Sequence, residues 1–217
     1  MMTVLAEGLG VISVSAYGVR SKKSKTRVRL FSCCDFVLGK KNGDVFRMEQ
    51  MDLVDSFYPV CEDVVKLSLA SYLCDLASDA FQMSDRSVLS LLLNTMYVIS
   101  YKDTDIWLAK ATFEIKISQL TGYEPQIEEC IGCSCGGEMV AFDLSGGAKC
   151  KNCAKNGDII ISKGTFDAME HILKNTNIFS FSVSDTVKKQ LSEVAEKYIL
   201  GKIERKYKSL DYLKKIM

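Results

Sequence analysis

The chain has 217 residues, 47% of them hydrophobic, enough to bury a core in one large or two modest domains of a folded, soluble protein. Lys and Arg total 28 against 27 Asp and Glu, so net charge alone indicates neither a nucleic acid nor an acidic partner, and any such preference must lie in how the charge is distributed. Nine cysteines, an odd number, and Glu7 within the first ten residues argue against a disulfide-stapled secreted scaffold, while the longest apolar run, 88–99, is interrupted by Ser90, Asn94 and Thr95 and falls short of the ~20 residues of a membrane span.

Residues 3–55 carry the period of short strands. Strands are expected at 3–5, 11–17, 28–32, 36–38 and 45–53, separated by Gly8, Gly10, Gly18, Gly39 and the pair Asn42-Gly43, whose tolerance of positive φ suits a hairpin. Several short strands with glycine turns in so short a span predict a small barrel. Between two of them, residues 20–29 (RSKKSKTRVR) hold six cations, Arg20, Lys22, Lys23, Lys25, Arg27 and Arg29, and no acid. Clustered cations beside strands release counterions when they meet a polyanion, which makes this run the candidate phosphate-binding loop; a solvated loop that merely stays out of the core is the bland alternative. Tyr17 and Phe31 flank it as candidate stacking platforms, with the core as their alternative place.

From Pro59 the period becomes helical. Val60, Val64, Leu67, Leu69, Leu73, Leu76 and Ala80 recur at three and four residues, a second helix is expected over 84–101 and a third over 103–120. Gly122 stops the third, with Pro125 just beyond.

The segment 129–158 has a different character. Cys130-x-x-Cys133 is followed after sixteen residues by Cys150-x-x-Cys153. Two such knuckles at this separation form the ligand pattern of one structural zinc ion, because a two-residue gap lets a tight turn aim both sulfurs at a tetrahedral centre. Four thiolates leave no open position, so the site is structural in kind; a thiol redox centre, which would use the same pairs, is disfavoured for that reason. Cys135 is an alternative ligand to Cys133, since zinc tolerates the longer gap. Cys33, Cys34, Cys61 and Cys74 lie in apolar stretches and are read as core thiols. The glycine-rich segment shows no hydrophobic core of its own, so metal binding, worth roughly 10–16 kcal/mol in such modules, is expected to fold it.

Helical patterning then resumes over 162–173 and from 184 to about 208, where the stripe is Val187, Leu191, Val194, Ala195, Tyr198 and Ile199. Helices on both sides of the cysteines imply a module inserted into one helical domain. A second basic cluster, Lys197, Lys202, Arg205, Lys206, Lys208, Lys214 and Lys215, is diluted by Glu204 and Asp211 and reads as the wet face of a helix. The single histidine, His171, lies mid-helix, there is no phosphate loop of the Gly-x-x-x-x-Gly-Lys-Ser/Thr kind, and no helix pattern follows Gly8-Leu9-Gly10 as a dinucleotide fingerprint requires. No enzymatic step is expected.

Four stretches carry a resemblance to a known family: 3–27 (TVLAEGLGVISVSAYGVRSKKSKTR), 113–125 (FEIKISQLTGYEP), 130–153 with Phe142-Asp143-Leu144-Ser145-Gly146-Gly147 ahead of Cys150, and the tail 198–213. Together they resemble the RecO family of bacterial DNA repair proteins, in the right order and over most of the chain, the sharpest element being Gly122-Tyr123-Glu124-Pro125 just before the first knuckle. The resemblance implies an N-terminal OB fold, a helical domain interrupted by a zinc module, binding to single- and double-stranded DNA, annealing of complementary strands, and loading of RecA through RecR and the single-strand binding protein SSB, in the cytoplasm at the nucleoid. Members of the family usually carry further residues, including a first strand, before the segment matching Thr3; either translation starts upstream of Met1 or the barrel is closed or capped differently, and loss of that strand would leave an unpaired edge.

The expectation is therefore an α+β protein with an OB-fold-like nucleic-acid-binding domain over 1–57, a helical domain over 58–128 and 159–217, and a zinc module over 129–158 with Cys130, Cys133, Cys150 and Cys153 as ligands. If SSB recruits the protein through its acidic, hydrophobic C-terminal tail, Leu200 and Ile203 beside Lys202, Arg205 and Lys206 offer the matching chemistry. The competing class is a zinc-containing RNA- or protein-binding adaptor without annealing activity.

Overall fold

A computed structural model describes residues 1–16, 29–40, 45–80 and 86–216. β1 (Met2–Ala6) and β2 (Gly10–Ser15) pair antiparallel, with Ala6 opposite Gly10 across the turn. The β2 sequence alternates as a half-buried strand should: Gly10, Ile12 and Val14 point inward, Val11 and Ser13 outward. β3 (Cys33–Lys40) and β4 (Val45–Asp55) pair antiparallel with register shifts at Cys33/Cys34 and Val37/Leu38, and β4 joins β2 in parallel, Ser13 lying opposite Val45. The sheet order is β1-β2-β4-β3, with β1 and β3 at its edges. The turn at Asn42-Gly43 lies outside the described residues, as does Val28 of the strand expected over 28–32. The remainder of that strand is not extended: the Ser32 N–H reaches the Arg29 carbonyl at 3.5 Å and Phe31 takes a left-handed φ of 64°, which turns the chain where β-branched patterning suggested extension.

α1 (Tyr58–Glu62) carries Pro59 in its first turn, and α2 (Val64–Ala80) is opened by Asp63, whose Oδ1 accepts from the N–H groups of Val65 and Lys66 at 2.8 and 3.1 Å. With α3 (Arg86–Tyr101) they bury Val60, Leu69, Leu73, Leu76, Val88, Leu92 and Ile99. Residues Met1–Lys102 and Lys208–Met217 form one compact unit and Asp103–Tyr207 a second. In the first, α7 (Lys208–Ile216) packs on α2, buries Leu210 and Leu213, and donates from Ser209 Oγ to Asp75 Oδ2 at 2.6 Å.

The second unit is built round α4 (Ile106–Leu120), which is buried almost all round from Leu108 to Ser118. Its N-cap is Asp105, whose side chain accepts from Trp107 and Leu108 N–H, so the helix starts slightly later than the pattern suggested. α5 (Lys163–Lys174) and α6 (Asp185–Ile203) pack against α4. Ser184 caps α6 as expected, but the helix stops at Ile203 short of 208, because Glu204 adopts φ 55° and ψ 33° and its N–H closes on Leu200 O at 2.9 Å. Within this core Lys110 is fully buried and donates to Glu114 and to Glu196 of α6, at 3.0 and 2.9 Å. Among the described residues no helix is long and apolar enough to cross a membrane.

Candidate metal centre

The cysteine segment contributes three short strands, β5 (Met139–Asp143), β6 (Gly147–Cys150) and β7 (Ile159–Ile160), ordered β6-β5-β7. Glycine composition concealed them, and it also concealed their apolar face: Met139, Phe142 and Ala148 lie in one cluster with Leu108 and Ile115 of α4, Met169 and Ile172 of α5, and Leu191 and Tyr198 of α6. The segment thus shares the hydrophobic core of its unit, contrary to the expectation that it lacks one. Phe142 and Tyr198 meet edge to face with ring centroids 5.4 Å apart, and the Tyr198 hydroxyl donates to the Tyr123 carbonyl at 3.0 Å.

Both knuckles fold as the same turn. In the first, the N–H groups of Cys133 and Ser134 return to the Cys130 carbonyl at 3.3 and 2.7 Å, Ser134 being left-handed with φ 55°. In the second, Cys153 and Ala154 return to the Cys150 carbonyl, each at 3.0 Å. The strand pair β5–β6 brings the turns together, and the four sulfurs of Cys130, Cys133, Cys150 and Cys153 all lie within 4.8 Å of one another. A zinc–thiolate bond of about 2.3 Å sets the edge of a sulfur tetrahedron at about 3.8 Å. Cys133 Sγ and Cys150 Sγ, one from each knuckle, are 3.8 Å apart. The donor set fits a closed tetrahedral ion. Cys135, the alternative ligand, lies outside this group of four, and its carbonyl instead accepts the Cys130 N–H at 3.0 Å.

The backbone around Cys130 and Cys150 favours their thiolates, whereas neighbouring thiols push Cys133 and Cys153 up. N–H groups of Cys150 and Gly132 each point at Cys130 Sγ from 3.4 Å. The Cys150 N–H first, joined by those of Gly132 and Cys133, holds the Cys130 thiol down to about 6 against the burial that opposes its ionisation. Burial pushes Cys150 up, but the N–H groups of Cys153 and Asn152 outweigh it and that thiol too lies below its ordinary value. Two glycines permit the geometry. A Cβ on Gly132 would stand 3.0 Å from both Cβ and Sγ of Cys153, and one on Gly147 would fall 2.0 Å from the Gln126 carbonyl oxygen. That approach is what lets the Gln126 backbone bond to Gly146 and Ala148, at 2.9 and 2.7 Å.

One buttress was not foreseen. Lys149, beside Cys150, reaches Asp143 at the end of β5 and Asp158 ahead of β7, so one ammonium ties the strands of the module together. The Lys149 ammonium beside it holds the Asp143 carboxyl down at about 2. In the sequence Lys151 and Lys155 stand between Lys149 and Asp158, and nothing marks Lys149 as the lysine that joins the two carboxylates.

The other candidate residues are dispersed. Arg20, Lys22, Lys23, Lys25, Arg27 and Tyr17 lie outside the described residues; Arg29 is exposed, with its guanidinium 4.9 Å from the centroid of the Tyr58 ring, and Phe31 is half-buried. Lys202 donates to the Ser145 carbonyl at 2.7 Å, bracing the module against α6, while Leu200 and Ile203 are half-buried. His171 packs on Phe181, ring centroids 4.7 Å apart, with Nε2 3.3 Å from the Asn177 carbonyl oxygen.

A β-sheet preceding a helical unit whose core includes paired cysteine knuckles defines a protein in which four thiolates can close round one structural ion. Residues 61–211 match the family model described as Recombination protein O C terminal. The chain is 31% identical to the DNA repair protein RecO of Acetivibrio thermocellus, over 99% of this chain and 89% of that protein. It is similarly related to proteins of the same name from Clostridium perfringens strain SM101, 28% identical over 99% of this chain and 98% of that one, and Clostridium novyi, 26% identical over 99% and 88%. The chain belongs to the RecO family.

Proposed function

We propose that this protein is a non-enzymatic recombination mediator that binds single- and double-stranded DNA, anneals complementary strands, and helps to load RecA through RecR and the SSB C-terminal tail. The observation that carries the reading is its relation, across 99% of the chain, to a protein named for DNA repair. The six-cation run 20–29 supports it from the sequence side, because annealing demands no covalent step, only neutralisation and alignment of two polyanions. In this reading the N-terminal sheet belongs to an OB-fold barrel and presents that run to phosphates. Zinc, held by Cys130, Cys133, Cys150 and Cys153, supplies a structural cross-link and no reactive position. Leu200, Ile203, Arg205 and Lys206 on and just beyond α6 are the surface offered to the SSB tail.

The discriminating experiment is annealing of complementary oligonucleotides coated with SSB. Acceleration by the purified protein is expected. Binding to RNA or protein without any acceleration would replace this reading by the zinc-containing adaptor.

A further inference from the structure

Where β4 hands over to α1, the chain turns through Phe57, which takes a left-handed φ of 43°. The turn buries Phe57 and sets the next residue, Tyr58, outward. Asp55 fixes this corner: its Oδ1 accepts from the Phe57 N–H at 2.8 Å and from the Tyr101 hydroxyl at 2.6 Å. The Phe57 ring lies 6.4 Å from that of Tyr101, and one turn back along α3 the Tyr97 ring lies 5.3 Å from Tyr101, centroid to centroid. Tyr58, Tyr97 and Tyr101 are each 44% exposed although α3 buries its apolar stripe on another side, through Leu92, Met96 and Ile99. Two cations flank these rings, Arg29 4.9 Å from the Tyr58 centroid and Lys102 5.6 Å from that of Tyr97. Among the described residues neither cation is joined to a carboxylate.

We propose that Tyr58, Tyr97 and Tyr101, with Arg29 and Lys102, form a platform on which unpaired bases of single-stranded DNA stack, the two cations neutralising the intervening phosphates. The proposal rests on the DNA-binding reading above and assigns it a site. Charge complementarity selects the occupant: half-exposed rings, two of them with a cation over one face, suit a polyanion that carries rings of its own. A duplex hides its base faces within the stack, so the platform favours single strands. Stacking also uses the faces of bases and leaves their pairing edges free, which is the state a strand needs while it is being annealed. Asp55 is the positioning residue, since it sets both the Tyr101 ring and the turn that presents Tyr58.

The test compares a labelled oligothymidine with an abasic oligomer of the same length and charge, by fluorescence anisotropy on the full chain. The unaltered protein is expected to bind the oligothymidine more tightly. Tyr58→Ser with Tyr97→Ser should weaken that binding about fivefold or more for each ring removed and leave the abasic oligomer unaffected. Tyr58→Phe with Tyr97→Phe, which keeps the rings, should behave as the unaltered protein, and equal thermal melts of all three confirm the fold. Serine variants that bind oligothymidine normally, or lose both probes equally, overturn the platform while DNA binding itself stands. Failure of the unaltered protein to bind either probe overturns both. Normal oligothymidine binding together with abolished annealing of SSB-coated strands would make the patch a protein-docking surface and overturn the assignment to DNA.

Discussion

Phe142 of the cysteine segment meets Tyr198 of α6 edge to face, ring centroids 5.4 Å apart, inside a cluster that also holds Cys130 and Cys150. The contact joins the metal centre and the helical core in one packed cluster. Trp107, the single tryptophan, stands at the start of α4, whose Leu108 and Ala111 line the same cluster. Stripping the metal with a chelator should therefore lower the thermal midpoint read by Trp107 fluorescence, and Phe142→Ala should destabilise the unit by about 3–5 kcal/mol. A Trp107 transition indifferent to chelation would mean that the module unfolds alone.

The ligand set predicts a sharp asymmetry among neighbouring cysteines. Purified protein should hold one zinc per chain; Cys133→Ser and Cys150→Ser should lose it, and Cys135→Ser should retain it, as read by elemental analysis. Gly132→Ala should lower zinc affinity although it removes no ligand, because the added methyl would press on the Cys153 sulfur from 3.0 Å. Release from Cys135→Ser with retention in Cys133→Ser would reassign the fourth ligand.

Gly147 makes a separate prediction about the scaffold. Its φ of 154° and the 2.0 Å that would separate an alanine Cβ from the Gln126 carbonyl oxygen leave no room for a side chain, and the obstacle is backbone that cannot swing aside. Gly147→Ala should cost at least the roughly 1–3 kcal/mol typical of forced overpacking, by denaturant titration, whereas Gly136→Ala, with nothing near, should cost much less. Equal effects at the two positions would remove the Gln126 contact as the reason for glycine.

The cysteine spacing and the helical period were legible because each is a local pattern: a knuckle needs only its own turn, and a stripe at three and four residues needs only one helix. What was hidden depended on long-range partners. Nothing near Phe142 in sequence reveals that Tyr198 completes its packing, so the module read as coreless. The left-handed residues at Phe31 and Glu204 were missed because neither is a type that favours that region, so a strand was expected through the first and a longer helix through the second. Tyr97 and Tyr101 fall within the helix expected over 84–101, and their i, i+4 spacing, with Lys102 adjoining, was the available signal of an exposed aromatic pair.

Asp105 gives a prediction in pH. Burial raises its carboxyl, but the Lys188 ammonium bonded to it and the N–H groups of Leu108 and Trp107 win, and it lies below the ordinary aspartate range. A group depressed in the folded state stabilises at pH above its unfolded value of about 3.9, and that contribution disappears as pH falls through the lower folded value. Asp105→Ala should therefore cost about 1 kcal/mol at neutral pH through loss of the α4 cap. The gap from the unaltered protein should close below about pH 4, as followed by Trp107 fluorescence in denaturant. A gap that persists at lower pH would assign the effect to something other than the carboxylate.

The basic run carries the last prediction, which rests on the proposed DNA binding. Phosphate contacts contain no base information, so replacing Arg20, Lys22, Lys23 and Lys25 by alanine should weaken single-strand binding similarly for oligonucleotides of different sequence. Every cation that no longer neutralises a phosphate leaves one counterion unreleased, which flattens the plot of log K against log salt by about 0.7, or about 2.8 if all four touch phosphate. The tyrosine platform should respond in the opposite manner, since removing rings lowers affinity without changing the number of ions released. A quadruple variant whose slope equals that of the unaltered protein would transfer the electrostatic contact to another surface, and the cluster from Lys197 to Lys215 is the next to substitute.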